Sequence, residues 1–211
     1  MKKLVLLTFF SIAMGFLEAA VVVYLRKILY VEGFYFPLKE MPLNLLLVES
    51  GREVATIVML VTIAIITGRT LVEKVSYFFY SFGLWDIFYY IWLKIILNWP
   101  SSFFTDDVLF LIPVPWVAPV LAPVVVSLTM ITFAIITMYF YEKGYIIKID
   151  KLDWLLIVFA YIVIFISFII DFPQIITHQM PSFYHWELLI ISEFIGIFVF
   201  IRVCGKTRRK I

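Results

Sequence analysis

Six apolar stretches of this chain are each long enough to cross a lipid bilayer, and this feature constrains the fold most. A hydrocarbon core of about 30 Å is spanned by about 20 helical residues. Lipid offers no partner to unpaired backbone groups, so each stretch must be helical. The predicted spans are residues 4–25, 48–67, 75–97, 116–140, 153–171 and 186–203. Because only 15% of residues are charged, we expect 1–211 to form one all-α integral membrane bundle.

Basic residues are divided unevenly between the two sides that these spans define. With the N-terminus inside, 12 of the 17 Lys and Arg residues fall on cytoplasmic segments and 5 on outer ones. Cytoplasmic loops of membrane proteins carry an excess of such residues. The bias predicts a multi-pass protein of the inner (cytoplasmic) membrane with both termini in the cytoplasm. The outer basic residues are Arg26, Lys27, Lys39, Arg52 and Lys94.

The first span has a second interpretation. Lys2, Lys3 and a short apolar run ending near Ala13 resemble a cleavable signal peptide. The apolar run nevertheless continues to Leu25, which is long enough to span and favours a retained helix.

The segment before the fourth span is rich in proline, with Pro113, Pro115, Pro119 and Pro123 close together. Each proline removes a backbone donor and disrupts a regular helix. Residues 108–118 are mostly apolar, but because of these prolines we do not expect them to form a regular helix. Two interpretations stay open: a re-entrant or interfacial segment before helix four, or a proline-rich start of that helix without functional meaning.

Ionisable residues in the predicted spans gather at mid-membrane or in the outer half, and charges there are costly enough to be functional candidates. Glu18, Asp86 and Glu193 lie in the first, third and sixth spans. We predict an outward-facing polar and acidic pocket built by several of them. The candidate residues are Glu18, Arg26, Arg52, Glu53, Asp86, Tyr90, Lys94, Asp107, His185 and Glu193.

The alternative for this set is charge pairing between helices without further function. Glu18 would then pair with Arg52, and Asp86 with Lys94 or Arg26. A metal site is conceivable but poorly supported, because the chain has 2 histidines and 1 cysteine. We expect no metal, no other cofactor and no nucleic-acid partner.

Three groups of residues together resemble a family of prokaryotic polytopic membrane proteins. They are the run from Glu18 to Arg26 with Arg52-Glu53, the run Trp85–Tyr90, and the run Pro113–Trp116. The resemblance covers most of the chain and implies a multi-pass membrane protein. It implies no activity, because none is assigned to that family.

Three functions fit this pattern. The first is binding, and transport, of a small cation, proton or polar solute in the outer pocket. The second is a membrane-embedded enzyme acting on a lipid or isoprenoid at the outer leaflet, with Glu18 and Asp86 as an acid–base pair. The third is an accessory subunit of a membrane complex.

Overall fold

The computed structural model describes residues 2–209, except for the side chains of Arg208 and Arg209, and these residues are mostly helical. Its helices are α1 (Lys2–Leu29), α2 (Leu43–Thr67), α3 (Leu71–Leu97), α4 (Leu121–Glu142), α5 (Lys151–Ile169), α6 (Phe172–Ile176) and α7 (Trp186–Lys206). Its strands are β1 (Asp106–Phe110), β2 (Trp116–Pro119), β3 (Tyr145–Ile146) and β4 (Arg208–Arg209). β1 pairs with β2 and β3 with β4, both antiparallel.

Within the described residues, five segments are long and apolar enough to cross a membrane: α1, α2, α4, α5 continued through α6, and α7. The chain is therefore a multi-pass helical membrane protein. Helix α3 has a similar length of 27 residues, but its tyrosines, tryptophans and Asp86 lower its hydropathy. It packs against α1, α2 and α4, so protein rather than lipid surrounds much of it.

Two tight crossings hold α3 in this central place. A Cβ atom on Gly15 of α1 would lie 3.0 Å from the backbone oxygen of Trp85. A Cβ atom on Gly83 of α3 would lie 2.7 Å from the backbone oxygen of Ser127. At both sites only the absence of a side chain lets the two backbones approach so closely.

Capping boxes define where α3 and α5 begin. Thr70 and Glu73 exchange side-chain and backbone hydrogen bonds at the start of α3, and Asp150 and Asp153 do so at the start of α5. These pairs satisfy backbone donors that have no partner within the helix.

The cap of α5 also joins that helix to α7. Lys206 donates to Asp150 at 2.5 Å and to Asp153 at 2.7 Å. Arg202 lies 3.2 Å from Asp150. The hydrogen bond from Lys206 holds the pKa of Asp150 well below its usual range. α5 and α7 thus form a second pair beside the group centred on α3.

The prediction that the fourth span begins at residue 116 is wrong. Residues from Trp116 to Pro119 form strand β2, which pairs with β1 so that Asp106 faces Pro119 and Val108 faces Val117. The helix begins only at Leu121. Prolines at 113, 115 and 119 supply no backbone donor for a helix, whereas an edge strand tolerates them. The prediction of an all-α fold is therefore incomplete, because it does not include this hairpin.

Candidate functional site

A cavity of about 170 Å³ lies between α1, α2 and α3. The β1–β2 hairpin closes one side, and the α1–α2 connection contributes Tyr30, Phe34 and Leu38 to its wall. Helices α1 and α2 both pack on α3 and make little direct contact with each other, which leaves the space open. We call the end of the bundle that holds the hairpin the hairpin side. The opposite end, which holds Lys3 and Arg69, is the terminal side.

An ion-pair cluster bridges α1 and α2 along this cavity. The Nη1 atom of Arg52 pairs with Glu18, and its Nη2 atom lies 2.5 Å from Oε1 of Glu49. Thr56 donates a longer hydrogen bond of 3.4 Å to Glu18. Arg52 and Glu18 keep 18% and 12% of their side-chain surface exposed, so both are accessible from the cavity. The cluster supplies polar contact between two helices that otherwise barely touch.

Sequence reasoning missed Glu49, which is 5% exposed. With a predicted helix start at residue 48, Glu49 falls at the membrane surface. Helix α2 begins at Leu43 instead, so Glu49 lies in its second turn. Its spacing of three residues from Arg52 is the signal that could have identified it, because such residues are neighbours on a helix.

Glu53 lines the cavity and also holds the hairpin. Its carboxylate accepts hydrogen bonds from the backbone N–H of Leu111 at 2.8 Å and of Ile112 at 3.2 Å. Only 3% of this residue is exposed. Glu53 thereby satisfies two backbone donors just beyond the end of β1, where no strand partner is present.

Arg26 and Asp107 form the second attachment of the hairpin. The Nη2 atom of Arg26 lies 3.0 Å from Oδ1 of Asp107, and Tyr89 donates to Oδ2 at 3.4 Å. The guanidinium also lies over Trp99, 3.8 Å from the ring centroid, and over Phe34 at 4.4 Å. Burial raises the pKa of Asp107, and the positive charge of Arg26 opposes that rise.

Asp86 differs from these paired residues. It accepts a hydrogen bond from the Ser127 hydroxyl at 2.8 Å, and among the described side chains it has no ion-pair partner. It lines the cavity and keeps accessible surface there. Its charged neighbours are other carboxylates, Glu18 and Asp107. The pairing of Asp86 with Lys94 or Arg26 that the sequence allowed does not occur.

Tyr90 also lines the cavity and is 6% exposed. Together with Tyr89 it forms an edge-to-face pair with centroids 4.8 Å apart. Aromatic rings of this kind offer a negative face to a cation.

Three predicted site residues lie away from the cavity. Lys94 is exposed and donates to the carbonyl oxygen of Pro100 at 2.9 Å. His185 is paired with Glu187 at 2.8 Å near the start of α7. Glu193 accepts a hydrogen bond from Thr129 at 2.8 Å. Between residues 2 and 209, no three His, Cys, Asp or Glu side chains are grouped so that they could hold a metal ion.

An apolar cluster bounds the cavity towards the terminal side. Its buried members are Met14, Leu60 and Trp85, and Phe10 and Phe110 pack against them. Trp85 and Phe110 also line the cavity. We call this cluster the plug, because it separates the cavity from the terminal half of the α1–α2 gap.

Comparison of the chain with protein-family models, with curated proteins and with solved structures gives no match.

Proposed function

We propose that this chain is a six-span inner-membrane protein whose pocket opens to the outside and binds a small cation, including a proton, for transport. The single observation that carries the proposal is Asp86. Asp86 lines the cavity near the middle of α3, and among the described side chains no cation pairs with its carboxyl group. A carboxylate at such depth is costly unless a cation or proton joins it.

The composition of the cavity wall supports a cationic ligand over an anionic one. Arg52 is already engaged by three carboxylates, those of Glu18, Glu49 and Glu53. Arg26 is engaged by Asp107 and two aromatic rings. Asp86 has no ion-pair partner among the described side chains, and Tyr89 and Tyr90 stand one turn along α3. A carboxylate beside aromatic faces favours a positive charge.

The plug supports transport over simple binding. It is an apolar barrier formed by Met14, Leu60 and Trp85 on three different helices, so a small shift of α2 against α3 would open it. Helix α2 packs less extensively on α3 than α1 does and barely touches α1, so such a shift breaks mainly the α2–α3 contacts and the pair of Arg52 and Glu18. An outward-facing pocket above a closed barrier is what alternating access requires of one of its two states.

Purified protein in detergent tests the binding step. Sodium, potassium and tetramethylammonium chloride are titrated at constant ionic strength, and the thermal midpoint is followed. Wild type is expected to gain stability with at least one cation, because a ligand at 100 times its Kd adds about 2.7 kcal/mol. Asp86→Asn is expected to fold with an unchanged or higher midpoint and to lose that response. Lys94→Gln, an exposed change outside the cavity, is the matched control.

Two results would contradict the proposal. An equal cation response in wild type and Asp86→Asn would place the cation elsewhere. A large fall in the midpoint of Asp86→Asn without any cation would show that Asp86 holds the bundle together. Proteoliposomes with a trapped pH-sensitive dye then test transport. The dye reports movement of protons, including any proton movement that accompanies the probe cation.

A second function, an enzyme acting on an amphiphile at the outer leaflet, is favoured by one observation. The cavity sits in the gap between α1 and α2, and much of its wall is apolar, including Val22, Leu25 and Leu46. Incubation of a total lipid extract with the protein separates the two functions. If the protein is such an enzyme, mass spectrometry of the lipids is expected to detect a new product with wild type and no such product with Glu18→Gln or Asp86→Asn.

A further inference from the structure

A second cavity, of about 400 Å³, lies in the same α1–α2 gap on the terminal side of the plug. Leu6 and Phe10 of α1 form one wall, and Ile63 and Ile66 of α2 form the other. Leu6 and Ile66 are 70% and 74% exposed. The cavity is therefore an apolar groove that opens sideways onto the lipid-facing surface of the bundle.

Two cations stand at the terminal end of this groove. Lys3 donates one hydrogen bond to the carbonyl oxygen of Thr67, at 2.8 Å, and its Nζ atom lies 5.6 Å from the ring centroid of Tyr77. A lysine ammonium has three donors, so Lys3 can also donate to an acceptor in the groove. Arg69 is exposed, and its side chain has no ion-pair partner among the described side chains. Lys3 and Arg69 both line the cavity, so the groove joins apolar walls to a positively charged mouth.

We propose that the groove binds one anionic phospholipid, with an acyl chain between α1 and α2 and the phosphate at Lys3 and Arg69. Apolar walls open to the bilayer exclude a polar solute as the occupant, because its polar groups would find no partner there. The paired cations match a headgroup with net negative charge, since basic residues at a membrane surface attract anionic lipids. Helix ends lie at a membrane interface in either orientation, so the site depends neither on the topology nor on the cation pocket.

Delipidated protein in detergent tests this by native mass spectrometry. It is titrated with dioleoyl phosphatidylglycerol, with dioleoyl phosphatidylcholine and with glycerol 3-phosphate. Wild type is expected to bind one phosphatidylglycerol at least tenfold more tightly than phosphatidylcholine. Glycerol 3-phosphate, which has no acyl chain, is expected not to bind.

Three variants separate the groove from general surface charge. Arg69→Gln, and Lys3→Gln with Arg69→Gln, are expected to lose the preference for phosphatidylglycerol. Ile66→Trp fills the groove from its exposed edge and keeps both cations, and it is expected to weaken binding of both lipids. Lys143→Gln with Lys148→Gln removes two exposed cations outside the groove and is expected to bind as wild type does.

Several outcomes would overturn the proposal. These are equal affinity for the two lipids, binding of glycerol 3-phosphate, an unchanged preference in the double variant Lys3→Gln/Arg69→Gln, or an unchanged affinity in Ile66→Trp. Because Arg69 and Ile66 are exposed, those single variants are expected to fold, and their thermal midpoints in detergent check this directly.

Discussion

Arg52 shows how a single residue joins two helices that lack a continuous apolar contact. It pairs with Glu18 of α1 and with Glu49 of its own helix, and it lies 4.0 Å from Glu53, so one guanidinium serves three carboxylates. Arginine suits this place because its planar group presents several fixed donors and stays charged. The arrangement also accounts for the difference between Glu18 and Asp86: Glu18 has a cationic partner, and Asp86 has only a hydroxyl.

We expect Arg52→Gln to lower the free energy of unfolding by about 3 kcal/mol. The change leaves Glu18 and Glu49 without a cation in a site of low polarity, and breaking a buried ion pair from one side is costly. Unfolding in mixed detergent micelles measures the effect. Lys94→Gln, an exposed change on α3, is expected to stay within about 0.5 kcal/mol of wild type. A loss below about 1 kcal/mol in Arg52→Gln would mean that the cluster does not hold α1 to α2.

At the scale of elements, the β1–β2 hairpin and the α3–α4 crossing give the site its shape. The hairpin is attached at two points, by Glu53 of α2 and by the pair of Arg26 and Asp107. Helix α3 carries Asp86 and the aromatic residues, and its position depends on the close approach of Gly83 to α4. The charges of the hairpin are thus structural attachments, while α3 presents the unpaired carboxyl group.

The attachment by Glu53 is testable through backbone exchange. Glu53→Ala leaves the N–H groups of Leu111 and Ile112 without acceptors, so we expect faster hydrogen–deuterium exchange in peptides that cover residues 108–116. Glu193→Ala removes a carboxylate that is bonded to Thr129 of α4 rather than to the hairpin, and it is expected to leave those peptides unchanged. Unchanged exchange in Glu53→Ala would show that Arg26 and Asp107 alone are enough to order the hairpin.

The close crossing of α3 and α4 predicts a cost for a single methyl group. In Gly83→Ala the new Cβ would lie 2.7 Å from the backbone oxygen of Ser127 and 2.8 Å from Cγ1 of Ile131. We expect a loss of about 1–3 kcal/mol in the free energy of unfolding. Gly51→Ala is the matched control, because nothing lies within 4 Å of its new Cβ, and alanine favours a helix over glycine by about 1 kcal/mol. Equal stability of the two variants would contradict the proposed fit.

For the whole molecule, the distribution of basic residues sets the expected orientation. The terminal side holds Lys3, Arg69 and the cluster of Arg202 and Lys206 with Asp150 and Asp153. The hairpin side holds the cavity and its carboxylates. If the positive side faces the cytoplasm, the cavity opens to the outside and the lipid groove lies in the inner leaflet.

Reporter fusions test that orientation. Fusions after residue 147 and after residue 211 are both expected to report a cytoplasmic location, although residue 211 lies outside the described residues. A fusion after residue 102, between α3 and β1, is the matched control and is expected to report outside. An outside signal at residue 147 would reverse the orientation and place the cation pocket on the cytoplasmic side.

The sequence by itself determined the long helices and the position of each charge along them. A run of about 20 apolar residues has no stable form in lipid other than a helix, so most boundaries could be predicted within a few residues. The place of Glu18 and Asp86 along their helices follows from counting residues. The hairpin could not be predicted from the sequence. The prolines exclude a regular helix, but they do not determine which residues pair as strands.

Only the tertiary structure decided which charges meet. Arg26 and Asp107 are 81 residues apart in sequence, and Glu53 is 58 residues from Leu111. A helical period shows which residues share a face, but the rotation of each helix about its axis follows from close packing at sites such as Gly83. That rotation pairs Glu18 with Arg52 and leaves Asp86 with a hydroxyl and an open cavity.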